Sequence, residues 1–185
     1  YEDTSSNFAV EAAVKAKQVM TVLEAVASTS VGAGADQDQA MKSAVEAFVE
    51  VIEATSDSDD VLNLDPTSDG DDVQTLVNAG FAKVIEQDEN VSADAVNALK
   101  SSVATAVENV VGKLEEISVS ESSTIASSKS TFSTVNVLKE QLSETAIEVK
   151  AAVDAASDGA DLSSVATSAA TTATLTKLTL TDESA

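Results

Sequence analysis

Apolar residues recur at helical spacing through most of this chain. From Ser6 to Val31, the residues Ala16, Val19, Met20, Leu23, Val26 and Ala27 step by three and four, which puts them on one helix face. Gly32-Ala33-Gly34 follows, and glycine ends helices because it enters the left-handed backbone region without a Cβ penalty. A second helix opens at Asp36, where Gln39 three residues on makes a capping-box arrangement with Asp in place of Ser or Thr. Ala40, Met41, Ala44, Val45, Phe48, Val49 and Ile52 then form a continuous stripe. The short connection predicts that these two helices pair as an antiparallel hairpin.

The pattern breaks at "TSDSDDVLNLDPTSDGDD", Thr55 to Asp72. A third helix starts after it, capped by Asp71 or Asp72, with Val73, Leu76, Val77, Gly80, Val84 and Ile85 on one face. A fourth starts near Ser92. Its residues Val96, Leu99, Val103, Ala106, Val110, Leu114 and Ile117 hold a spacing close to that of a coiled coil. Gly112 inside it costs about 1 kcal/mol against Ala unless a neighbour packs close there. Ser118 to Ser133 is rich in hydroxyls and reads as a loop or as the weak start of a long helix. Periodicity returns with Val135, Leu138, Leu142, Ala146, Val149 and Val153. "SDGAD", Ser157 to Asp161, is another break, and a last short helix carries Leu162, Val165, Ala166, Ala169 and Ala170. From Thr174 the chain alternates Thr with Leu, a β-favouring pattern with no second strand to receive it. The expectation is an all-α bundle of five to six helices over residues 1–173, followed by an extended Thr/Leu-rich tail at 174–185. No internal repeat emerges.

Composition narrows the chemistry. Aromatics are 3% of 185 residues, so the core must be built from Ala, Val, Leu and Ile. There is no Cys, His or Trp, and all ten positive charges are lysines. The usual ligands for zinc, haem and iron–sulfur clusters are therefore missing, as is the commonest general base. Neither a Ser-His-Asp nor a Cys-His nucleophile can be assembled, and no arginine can clamp phosphate in a bidentate way. The expectation is a protein that is not an enzyme. A net charge of −22 and a pI near 4.1 repel nucleic acid and anionic membranes. No stretch approaches the roughly 18 apolar residues of a membrane-spanning helix. The sequence opens on Tyr1 rather than Met, which reads as a processed or partial chain.

The acidic stretch is the main candidate site. An EF-hand needs oxygen ligands at alternate positions, Gly at position six and a bidentate Glu at twelve. With Gly70 at six, Asp65, Thr67, Asp69 and Asp71 fall at one, three, five and seven, but position twelve is Leu76. The bidentate ligand is missing, which makes a true EF-hand improbable. A looser calcium site would use Asp65, Asp69 and Asp71, with Asp57, Asp59 or Asp60 as extra ligands. The plainer reading fits better: a solvated connector whose Asp71 caps the next helix, where a carboxylate meets the positive end of the dipole. Two acid pairs, Asp88-Glu89 and Glu115-Glu116, sit near helix ends, but adjacent helix positions do not share a face. The scattered Lys15, Lys17, Lys139 and Lys150 read as solvent-facing ion-pair partners. Asn90-Val91-Ser92 has the form of a glycosylation sequon and reads better as an approach to a cap at Ser92. In the tail, Leu175, Leu178 and Leu180 are the candidate assembly residues, through a strand donated to another subunit.

"LNLDPTSDGDDVQTLVNAGFAKV" followed by "VSADAVNALKSSVATAVENVVGKLEEI" resembles the Ala-rich helical modules of very large exported bacterial surface proteins, which lie beside RTX-type calcium repeats or cadherin-like domains. The shared pattern is an apolar-Asn-Leu turn, an acidic break, a short helix, then a long Val/Ala helix opening with Ser-Ala-Asp; it covers about a third of the chain. The glycine doublets of the RTX nonapeptide are absent. The resemblance implies a spacer or adhesion-associated module outside the cell, with calcium, if used, at Asp65, Asp69 and Asp71. It transfers no catalytic residue. The expected function is thus a non-catalytic structural module of a bacterial cell-surface or extracellular assembly protein, with neighbouring domains or copies of itself as partners. A calcium-responsive binding module and a self-assembling filament subunit are the alternatives.

Overall fold

The computed structural model describes residues 4–57, 62–66, 72–119 and 125–155. They form five helices and, among the described residues, no strand: α1 (Thr4–Gly32), α2 (Gln37–Asp57), α3 (Val73–Gln87), α4 (Ala93–Val119) and α5 (Ile125–Ala155). The protein is all-α, as the spacing predicts. The hydroxyl-rich stretch divides, and from Ile125 it is the start of a long helix. The last short helix at 162–170, the tail with Leu175, Leu178 and Leu180, and the boundary at 173/174 lie outside the described residues.

The helices run up and down. α1 packs against each of the other four, and α2–α3, α3–α4 and α4–α5 complete the set of neighbours. The α1–α2 and α3–α4 turns meet at one pole, where the Ser92 N–H donates to the Ala33 carbonyl at 2.9 Å. α5 ends at that pole too, with Lys150 alongside Gly34. α2 and α4 end, and α3 and α5 begin, at the opposite pole, where α1 begins.

The core matches the composition. Val14, Val22, Val26, Val77, Val84, Leu99, Val103, Val107, Leu114, Leu138, Leu142 and Val149 are buried among alanines, and Phe81 is the one buried aromatic among the described residues. Removing such side chains from water stabilises the fold by about 1.5–3 kcal/mol each. Small residues let the helices approach closely. An added Cβ at Gly32 would lie 2.7 Å from the Ala146 Cβ and run into the Ser143 carbonyl of α5. At Gly80 of α3 it would lie 2.9 Å from Val26 Cγ1 on α1. Gly112 has the close neighbour that its place in α4 requires, since a Cβ there would meet Pro66 Cγ at 3.2 Å.

α2 departs from expectation. Its stripe is wider than the surface it buries. Ala40, Ala44 and Ala47 are buried, whereas Val45, Val49 and Ile52 keep 42%, 45% and 37% of their surface exposed. The cause is the other side of α2, where Gln39, Ser43 and Glu46 bond to Gln87, and Glu50 pairs with Lys83, both on α3. Those polar contacts set the rotation of α2 and leave part of its apolar stripe facing outward.

Candidate functional site

The acidic stretch is closed at its neck. The Asn63 N–H donates to Asp72 Oδ2 at 2.9 Å, and the Asp72 N–H donates to the Asn63 carbonyl at 2.8 Å. Asn63 Oδ1 in turn accepts the Asp65 N–H at 3.0 Å, an Asx turn. Leu64 is buried and pins this neck to the core. Asp72 stands at the start of α3 without a side-chain cap bond to the helix, because its carboxylate is engaged by Asn63. Asp69 and Asp71, two of the three candidate calcium ligands, lie outside the described residues, as does any cap by Asp71. Asp65 is the third, and its charge acts on Glu115 of α4. Among the described residues, no three acidic side chains gather as a metal ion would require.

Glu115 belongs to a cluster that the spacing did not anticipate. Its Oε2 accepts from Lys15 Nζ at 2.8 Å and from Gln18 Nε2 at 2.9 Å. Gln18 is fully buried, also donates to the Val111 carbonyl at 3.2 Å, and leaves its Oε1 without a partner. Burial works against the charge on Glu115, but the Lys15 and Gln18 hydrogen bonds and the Lys15 charge outweigh it, so the carboxyl titrates below its ordinary value. The Glu116 side chain lies outside the described residues.

Asp88 is a carboxylate bonded through both oxygens. It is buried between α3 and α4. Oδ1 accepts the Asn90 N–H at 2.9 Å and the Asn90 side-chain amide at 3.1 Å; Oδ2 accepts the Asp36 N–H at 2.7 Å. The backbone N–H groups of Asn90 and Asp36 hold its titration below the ordinary value, against the opposing effect of burial. Glu89 beside it is exposed, so the two are no acid pair. Asp36 caps α2 as its sequence predicts, with Oδ1 accepting the N–H groups of Asp38 and Gln39 at 3.0 Å each. The reciprocal half of the box differs: Asp88, not Gln39, takes the Asp36 N–H. The sequence signal was present in "DEN" between two helices, an Asx-turn pattern, but its partner across the fold was not. Lys15 and Lys150 are ion-paired, with Glu115 and Asp154.

These arrangements fasten backbone to backbone. The carboxylates of Asp36, Asp72, Asp88 and Glu115 accept from donors of the same chain, and Asp88 ties two turns into one unit. Comparisons with family models, with curated protein sequences and with solved structures each return no match. Among the described residues, no helix is long and apolar enough to cross a membrane.

Proposed function

We propose that this chain is a non-catalytic structural or spacer module of an exported bacterial cell-surface or extracellular assembly protein. The observation that supports it most is the Asp88 junction. Polar residues that could serve chemistry are spent instead on locking turns together, which makes a stiff helical body. Its longest helices, at 1.5 Å per residue, hold neighbours apart by about 45 Å. The acidic surface keeps such a body hydrated outside the cell. Neighbouring domains or copies of the chain are its partners.

Two experiments test this. An antibody against the bundle labels intact source cells, and protease shaving removes the epitope; an epitope reached only after lysis overturns the exported reading. A circular-dichroism melt in calcium and in excess chelator moves by under about 2 °C. A rise of roughly 10 °C with calcium replaces the structural reading with the calcium-responsive one, because only binding to the native state shifts the equilibrium that way.

A further inference from the structure

The outward face of α2 is apolar. Val45, Val49 and Ile52 are three of the five exposed large hydrophobic side chains among the described residues. With Lys42 and Ser56, both exposed, they step by three, four, three and four, which is the spacing of a coiled-coil seam. The helix is not free to roll this seam inward. Gln39, Ser43 and Glu46 are bonded to Gln87, and Glu50 to Lys83, all toward α3. Met41, Phe48 and Val51 pack against the core from the other side. Single exposed valines are ordinary, but an aligned row of apolar residues marks an interaction surface.

We propose that this seam pairs with the same seam of a second copy of the chain, α2 against α2, antiparallel about a twofold axis. Charge selects this occupant. Lys42 closes one end of the seam, and the exposed Glu53 flanks the other. Lys42 is 65% exposed and reaches Glu46 only at 3.7 Å. A second α2 turned end for end sets Lys42 beside Glu53 at both ends of the pair. Val45 then meets Val49 across the axis, and the methylenes of Lys42 lie over Ile52. A parallel pairing would instead set like charge on like at each end. Glu46 and Glu50 are drawn toward α3 by Gln87 and Lys83, away from the seam. From Lys42 to Glu53 the seam is about 16 Å long, which is short beside a standard interface of about 1,600 Å². The pair is therefore weak, with a Kd on the order of 0.1–1 mM. The net charge of −22 on each copy opposes it as well, but at about 0.15 M salt charges more than about 8 Å apart are largely screened. Weak pairing suffices for copies held close together, where effective concentrations reach the millimolar range. This pairing rests on the reading that copies of the chain are its partners.

Sedimentation equilibrium of the purified full chain, from about 20 μM to about 2 mM in about 0.15 M sodium chloride, tests it. The expected result is a monomer at the low end and a dimer fraction that grows above about 0.2 mM. Val49→Asp weakens the dimer at least tenfold while the circular-dichroism spectrum stays helical, since Val49 is already 45% exposed. Lys42→Glu and Glu53→Lys each weaken it about threefold, and both changes in one chain restore it, as antiparallel pairing requires. A chain that stays monomeric to about 2 mM overturns the proposal. So does a dimer that Val49→Asp leaves unchanged, which places the contact elsewhere, or a loss on single charge reversal that the double reversal does not repair. The chain lacks cysteine, so a second readout has no background. Val45→Cys and Val49→Cys chains, mixed under mild oxidation, crosslink to each other faster than either does to itself; equal rates refute the register. These measurements use purified protein, so their failure is distinct from failure of the cell-surface test.

Discussion

At the scale of single residues, Asp88 and Gly34 carry the most weight for their size. Asp88 is an ionised acceptor for three N–H groups on two segments far apart in sequence. Hydrogen bonds to a charged group are worth about 1.5–3 kcal/mol, and removing the acceptor strands its donors. Asp88→Ala therefore lowers stability by about 2–3 kcal/mol, seen as a fall in Tm of roughly 5–10 °C. A variant that melts with the wild type would show that the junction is redundant. The pH dependence has a definite sign. The folded-state titration of Asp88 lies below the ordinary 3.8, so its stabilisation is complete above that value and is lost as pH falls through the folded one. Urea titrations from pH 5 to pH 2 measure this loss, and Asp88→Asn flattens the acid limb. Gly34 sits beside the junction with φ at 107°, and a Cβ there would stand 2.8 Å from the Asn90 carbonyl. Gly34→Ala costs more than about 1 kcal/mol from backbone strain and that clash together. The check is the urea midpoint against that of the wild type; an unchanged midpoint refutes it.

Elements are where the sequence was most readable. Apolar residues at three- and four-residue steps located α1 to α4, because a helix must put its buried side chains on one face. The α1 stop was legible in Gly32-Ala33-Gly34. The Ala35 N–H bonds to Ser30 O and the Gly34 N–H to Val31 O, the Schellman pair that a glycine at the end permits. Rotation about each axis was not legible. The α2 stripe from Ala40 to Ile52 is too wide to show which edge is buried; the answer depends on Gln87 and Lys83 of another helix. Nor could spacing reveal that Gln18, polar within an apolar run, would be buried against Glu115. The candidate site fared least well. Asp65 stands where an Asx turn holds it, and the neck that shapes it comes from Asn63 and Asp72, nine residues apart in the same stretch, whose pairing has no metal-site signature. A contrast of two substitutions tests this account of the helices. Leu99→Ala opens a cavity in the packed core and costs about 2–5 kcal/mol. Gln18→Met removes two hydrogen bonds together with an unpartnered oxygen, so its cost is under about 1 kcal/mol. Denaturant midpoints that reverse this order refute it.

For the molecule as a whole, charge and topology act in different directions. A net charge of −22 strains the folded body by self-repulsion, which salt screens. Tm therefore rises between 10 mM and 500 mM sodium chloride by several degrees, and a fall would mean that ion pairs such as Lys15–Glu115 outweigh the net repulsion. Topology concentrates the fastening at one pole, where the Asp88 junction and the Ser92–Ala33 bond join both short turns. The longest connection, the acidic stretch, joins α2 to α3 away from that pole. Under a mechanical load the bundle is therefore a clothes-peg rather than a rod. Helices pulled at the pole where α1 begins splay first, and the junction acts as the hinge pin that keeps the two hairpins together for rapid reclosure. Such a body gives way under brief stress from one end only, and recovers its shape once the tension passes.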